Sequence, residues 1–90
     1  MDRVVDNVEL QRFEMEVEGR TAFVAYRRGD GVIQLNHAEV PTELEGRGVG
    51  SRLVKATLDA VRTEGLKVRP RCSFVAAYMR RHPEYADMLA

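Results

Sequence analysis

The chain has 90 residues, enough for one domain around one small core. Hydrophobic residues make up 44% and charged residues 31%, which excludes a disordered polymer, and no apolar run approaches the ~18 residues of a membrane span. Net charge is zero, without the basic surplus that holds nucleic acid or an anionic membrane, and one cysteine with two histidines leaves neither a disulfide framework nor a structural zinc cluster. The opening MDRVVDNVEL lacks the apolar core of a signal peptide, so a reducing cytoplasm is the expected compartment.

From Val8 to Val17 the pattern settles into period two: Phe13, Met15 and Val17 point one way, Arg12, Glu14 and Glu16 the other. That alternation predicts a half-buried strand. Glu18-Gly19-Arg20 is a tight turn, and Thr21 to Arg28 is a second strand with Phe23 and Tyr26. Arg28-Gly29-Asp30-Gly31 closes a second hairpin, and Val32 to Val40 forms a third strand ended by Pro41. Three strands joined by tight turns read as an antiparallel meander.

The period then changes. Val49, Leu53, Val54, Leu58 and Val61 fall on one helical stripe, and Gly65 stands where a helix-ending glycine belongs. Leu66 to Arg69 is a short strand stopped by Pro70, expected parallel to an earlier strand because it follows a helix. Ser73 to Arg81 is helical, clustering Phe74, Val75, Tyr78 and Met79, and Pro83 starts a last turn or helix. The predicted order is β-β-β-α-β-α, a single α+β domain over residues 1–90 with a small mixed sheet and helices packed on it.

The segment Glu45-Gly46-Arg47-Gly48-Val49-Gly50-Ser51 puts three alternating glycines between a strand and a helix. Glycine lets backbone approach a ligand closely, and the amides that open a helix are unpaired and positively biased. Such a loop suits an anion, with Arg47 and Arg52 as nearby cations. It fits neither the P-loop, which needs a lysine, nor the dinucleotide fingerprint, which needs G-x-G-x-x-G after the first strand of a βαβ unit. A glycine-rich turn with no ligand is the plain alternative. Charge is split along the chain: residues 1–45 hold ten acids and five bases, residues 46–90 four acids and nine bases. Either the two halves attract each other, or the basic half serves an anionic ligand.

The stretch PTELEGRGVGSRLVKATLDAV resembles the acetyl-CoA-binding motif of the GCN5-related N-acetyltransferase superfamily, Q/R-x-x-G-x-G/A, with Gly48 and Gly50 as the motif glycines and Glu45 in the Gln/Arg place. NHAEVP, PRCSFVAAYMRRHPEY and the short length narrow the resemblance to that superfamily's small stand-alone members. The resemblance implies that acetyl-CoA is co-substrate and that no metal takes part. It implies that Gly46, Arg47, Gly48, Val49, Gly50 and Ser51 cradle the pyrophosphate, with Glu39 and Val40 beside the pantetheine arm. Full-length members have two helices after their first strand that help wall the acceptor site. Here Glu18-Gly19-Arg20 joins the first two strands, so the acceptor side is expected to be open, or completed by a second subunit or a partner protein.

Acetyl transfer to an amine needs a base, an oxyanion donor and a proton for the departing thiolate. His37 and Glu39, two apart on a strand, project from one face if no bulge intervenes, and each is a candidate base. Cys72 precedes a helix and follows Arg71, a setting that favours thiolate and makes it a candidate acetyl acceptor. Packing at the strand–helix joint is the competing reading. Tyr78 is a candidate proton source for the thiolate, against a core role; His82-Pro83-Glu84-Tyr85 suggests only a helix break. The expected function is an acetyl-CoA-dependent N-acetyltransferase acting on an amine of a protein or polyamine; the alternative is a CoA-binding module without turnover.

Overall fold

The computed structural model describes residues 2–90. Its strands are β1 (Val5–Asn7), β2 (Arg12–Val17), β3 (Arg20–Gly29), β4 (Val32–Glu39) and β5 (Lys67–Pro70). They form one sheet in sequence order, antiparallel from β1 to β4 and parallel between β4 and β5. The 15-residue helix α1 (Val49–Thr63) makes the crossover that a parallel pair needs. Helix α2 (Ser73–Arg81) and a 3₁₀ segment, Pro83–Met88, follow β5. The α+β class, the meander and the parallel last strand agree with the sequence reading.

The N-terminal part differs. The strand expected from Val8 begins at Arg12, because residues 8–11 form a turn in which Gln11 has φ 54°. The turn folds Val5–Asn7 back onto Arg12–Glu14 as an extra edge strand. Three residues are too few to show alternation, so the pattern carries no signal for it.

The core lies on one sheet face. Phe13 and Met15 of β2, Val24 and Tyr26 of β3, and Ile33 and Leu35 of β4 are buried, and the buried stripes of α1 and α2 join the same cluster. The alternate residues, among them Glu14, Phe23, Gln34 and Arg69, are none of them buried. The sheet is therefore covered on one side only, among the described residues. Helix α1 ends as its glycine predicts: the Gly65 amide donates to the Arg62 carbonyl at 2.9 Å and the Leu66 amide to that of Val61 at 3.4 Å, with Gly65 at φ 75°.

One irregularity matters for the site. Ala25 pairs with His37 while Tyr26 pairs with Leu35, so Asn36 is an extra residue on β4. The bulge lies before His37, so His37 and Glu39 keep a common face, the uncovered one. The β4–β5 pairing stops at Leu35 and Pro70, and the Leu35 carbonyl then accepts from both the Arg71 and Cys72 amides at 3.0 Å. Beyond this point β4 has a partner strand on one side only, because Pro70 offers no amide and the chain has turned into α2.

Candidate functional site

The open end of β4 runs past a short 3₁₀ turn, Thr42–Leu44, into the glycine loop. Gly46 has φ 83° and Gly48 φ 74°, values that a side chain strains against. Gly48 is the residue before α1, and the first intrahelical bond runs from the Arg52 amide to its carbonyl at 3.2 Å. The amides of Val49, Gly50 and Ser51 precede that bond and have no acceptor among the described residues. A Cβ built on Gly48 meets nothing within 4 Å, so the loop's outer surface is open. Gly50 differs: its φ is ordinary, but a Cβ there would stand 2.9 Å from Cζ of Phe74.

These features bound a cleft of about 520 Å³. Among the candidate site residues, the structure brings Glu39, Val40, Gly46, Gly48, Val49, Gly50 and Ser51 together along it. Sequence reasoning missed Ala38, Leu44 and Phe74. Phe74, which spacing clusters with Val75, Tyr78 and Met79, is 40% exposed and faces the cleft at the start of the helix, whereas the other three are buried. Two larger grooves, about 600 and 540 Å³, run along the N-terminal arm at Asp2–Val4 and hold none of the glycine-loop residues. Of these three, the smaller cleft combines free helix-opening amides with an unpaired strand end among the described residues, the features that suit an anionic ligand.

Arg47 of the loop and Arg52 of α1 point elsewhere. Arg47 pairs with Glu18 in the β2–β3 turn at 2.5 Å, and Arg52 pairs with Asp2 at 2.8 Å. The Arg52 hydrogen bond holds the Asp2 carboxyl below its usual range. Both pairs join the basic half of the chain to the acidic half, whereas Arg28–Glu64 crosses in the opposite sense and the other ion pairs among the described residues lie within one half. The cleft itself carries two carboxylates, Glu39 and Glu45, and its anion-binding capacity rests on backbone amides.

His37 Nε2 lies 3.2 Å from Glu39 Oε1, and both side chains are about 60% exposed. The His37 ring stands edge-on to Phe23 at 6.1 Å, and the Arg12 guanidinium lies over Phe23 at 4.3 Å. Glu39 thus touches both the cleft and the histidine. Cys72 sits just before α2, partly buried and packed against the core cluster, outside the cleft lining.

Tyr78 is buried, and burial raises the pKa of its hydroxyl. Its ring stacks on His82 at 3.8 Å, and His82 Nδ1 lies 2.8 Å from the Tyr78 carbonyl oxygen. Tyr85 then donates to Asp59 of α1 at 2.7 Å. The HPEY run fastens the C-terminal segment to the two helices, and Tyr78 belongs to that packing, away from the cleft.

The profile of the GCN5-related N-acetyl-transferase family matches residues 12–88. Protein NATD1 of Mus musculus is 31% identical over 92 residues, covering 97% of this chain and 84% of the mouse protein. Protein NATD1 of Homo sapiens is 38% identical over 63 residues, covering 68% of this chain and 56% of the human protein. The NMR solution structure of a GCN5-like protein from Staphylococcus aureus superposes with a TM-score of 0.72 at 28% identity, over 98% of this chain and 87% of that one.

Proposed function

The chain belongs to the GCN5-related N-acetyltransferase family, and from that premise we propose that it is a minimal acetyl-CoA-dependent N-acetyltransferase. The observation that carries this reading is the run of unpaired amides at Val49–Ser51 beside the unpaired end of β4. Amides at a helix start suit a pyrophosphate, and a strand with a free side suits the amide-bearing pantetheine arm. The glycine positions fit that ligand, since the two positive-φ glycines present open backbone with room in front of it.

The chemistry then follows from position. The acceptor nitrogen attacks the thioester carbon, a C–N bond forms, and the C–S bond breaks. In this reading Glu39 takes the amine proton directly or through the imidazole, supported by its reach to the cleft and its contact with His37. The departing sulfur takes up a proton. Direct transfer of this kind leaves Cys72 a neighbouring side chain without a covalent bond to acetyl. The acceptor is proposed to be an amine on a protein or a polyamine, because the sheet face bearing His37 and Glu39 has no covering element among the described residues. The same openness supports a second reading, a CoA-binding module whose acceptor side is completed by another subunit or a partner protein. A cytoplasmic location is part of the proposal.

The test is calorimetry with CoA and acetyl-CoA on the wild type and on Gly48→Val. A branched side chain at φ 74° strains the loop and projects into the space a phosphate would take. Wild-type binding that is lost in a folded Gly48→Val supports the cradle; equal affinity of the two removes it. Release of free CoA thiol on adding amine-bearing proteins separates the enzyme from the binding module.

A further inference from the structure

The β2–β3 turn sits at the same end of the sheet as the glycine loop, because Phe23 near the start of β3 pairs with Glu39 at the end of β4. The turn has two residues, Glu18 at φ 51° and Gly19 at φ 76°, between the paired Val17 and Arg20. Two consecutive positive φ values fit a type I′ turn, whose first position favours Asn, Asp or Gly. A glutamate there is locally unfavourable, and its carboxylate makes the 2.5 Å pair with Arg47. On the other flank Arg20 pairs with Glu43 of the 3₁₀ turn at 3.7 Å, in the opposite sense. The turn is therefore fastened to both segments that lead into the cleft. With Arg47 held this way, no lysine or arginine among the described residues lines the cleft.

We propose that Glu18 is an internal competitor for the anion site: its carboxylate occupies the Arg47 guanidinium, and a phosphate bound at the loop takes its place. The proposal rests on the reading of the loop as a CoA-phosphate cradle. Arg47 lies inside the loop, between Gly46 and Gly48, two residues before the first of the free amides. A guanidinium binds a carboxylate or a phosphate with the same N–H donors, so one exchanges for the other once the exposed Arg47 side chain swings from the turn to the loop. Glu18 thereby lowers the affinity for phosphate-bearing ligands and keeps a bare arginine from collecting other anions.

The experiment is calorimetry with CoA on four full-length proteins: wild type, Glu18→Gln, Arg47→Ala and the double variant, at about 50 and about 300 mM salt. Circular dichroism checks that each is folded. Glu18→Gln should tighten CoA binding about two- to fivefold, the scale of an exposed ion pair, and Arg47→Ala should weaken it about five- to thirtyfold. In the Arg47→Ala background Glu18→Gln should change nothing, and its gain should shrink at high salt. An unchanged affinity for Glu18→Gln overturns the proposal. So does a gain that persists without Arg47, which would make Glu18 only a nearby negative charge. The same four proteins are titrated with inorganic pyrophosphate. The exchange pattern with pyrophosphate but no binding of CoA would reject the proposed function and keep the competition; absence of the pattern with both probes would reject the competition.

Discussion

Gly50 and Phe74 meet where the two helices begin, so closely that a Cβ on Gly50 would stand 2.9 Å from Cζ of Phe74 and 3.7 Å from Cγ2 of Val40. Residue 50 is thus tied to the start of α2 by space, whereas Gly48 is glycine because of its backbone angle. In Gly50→Ala, alanine's helix preference contributes up to about 1 kcal/mol. The overlap with the ring costs about 1–3 kcal/mol if nothing moves. Phe74 is 40% exposed and free to rotate outward, so most of that cost is relieved. We expect stability within about 1 kcal/mol of wild type, and CoA binding weakened by about tenfold as the ring is driven into the cleft it lines. Thermal melts and calorimetry read the two effects separately. Adding Phe74→Leu should restore binding; if it does not, the ring is not what the alanine displaces.

His37 and Glu39 should act as a pair. Removing either should leave CoA affinity nearly intact, because neither touches the glycine loop's amides. The loss in transfer rate should reach about 10²-fold for at least one of His37→Ala and Glu39→Gln. The 3.2 Å contact makes the losses non-additive, so the double variant should be little worse than the poorer single one. Multiplying losses on a verified acceptor would mean two independent roles, and two fully active single variants would place the base elsewhere.

The site was legible in the sequence where one residue type answers one physical need. Gly46 and Gly48 were readable because the chain must turn through positive φ before a helix, and Gly65 because a helix needs such an end. The alternation of Phe13, Met15 and Val17 gave the core face of β2. The illegible parts depend on partners distant in the chain. Nothing near Arg47 or Arg52 says that Glu18 and Asp2 will hold them. The bulge at Asn36 leaves no trace in the local pattern, since one extra residue changes register without changing composition. Phe74 sits among core-like neighbours on α2, and only the approach of Gly50 shows why its ring turns to the cleft.

Thr57 offers a test of the core alone. It is fully buried on α1, and its Oγ1 has no hydrogen-bond partner among the described residues. A buried hydroxyl without a partner costs about 1–3 kcal/mol, and valine replaces it at nearly the same volume. Thr57→Val should raise the melting temperature by several degrees, given about 4–8 °C per kcal/mol for a domain of this size. A lower melting temperature would show that the hydroxyl does find a partner.

The Tyr85–Asp59 contact gives stability a dependence on pH with a definite sign. Burial, with the Asp59 hydrogen bond and charge, pushes the Tyr85 hydroxyl from 10.0 up to about 12. A raised folded pKa means that the contribution is whole below the unfolded value and is lost as pH rises through about 10 to 12. Asp59 runs the other way. Burial raises its pKa, but the hydrogen bonds from Tyr85 and Lys55 outweigh that and hold it below 3.8, so its contribution fades as the solution is acidified through that value. Tyr85→Phe keeps the ring and removes the hydroxyl, leaving Asp59 with Lys55 at 3.0 Å. Urea melts at pH 7 should show the variant weaker by about 1 kcal/mol, after allowance for solvent screening. As pH passes 10, wild-type tyrosine begins to pay for staying protonated and the gap should close. A gap that stays constant to pH 12 would mean the hydroxyl is not what couples the C-terminal segment to α1.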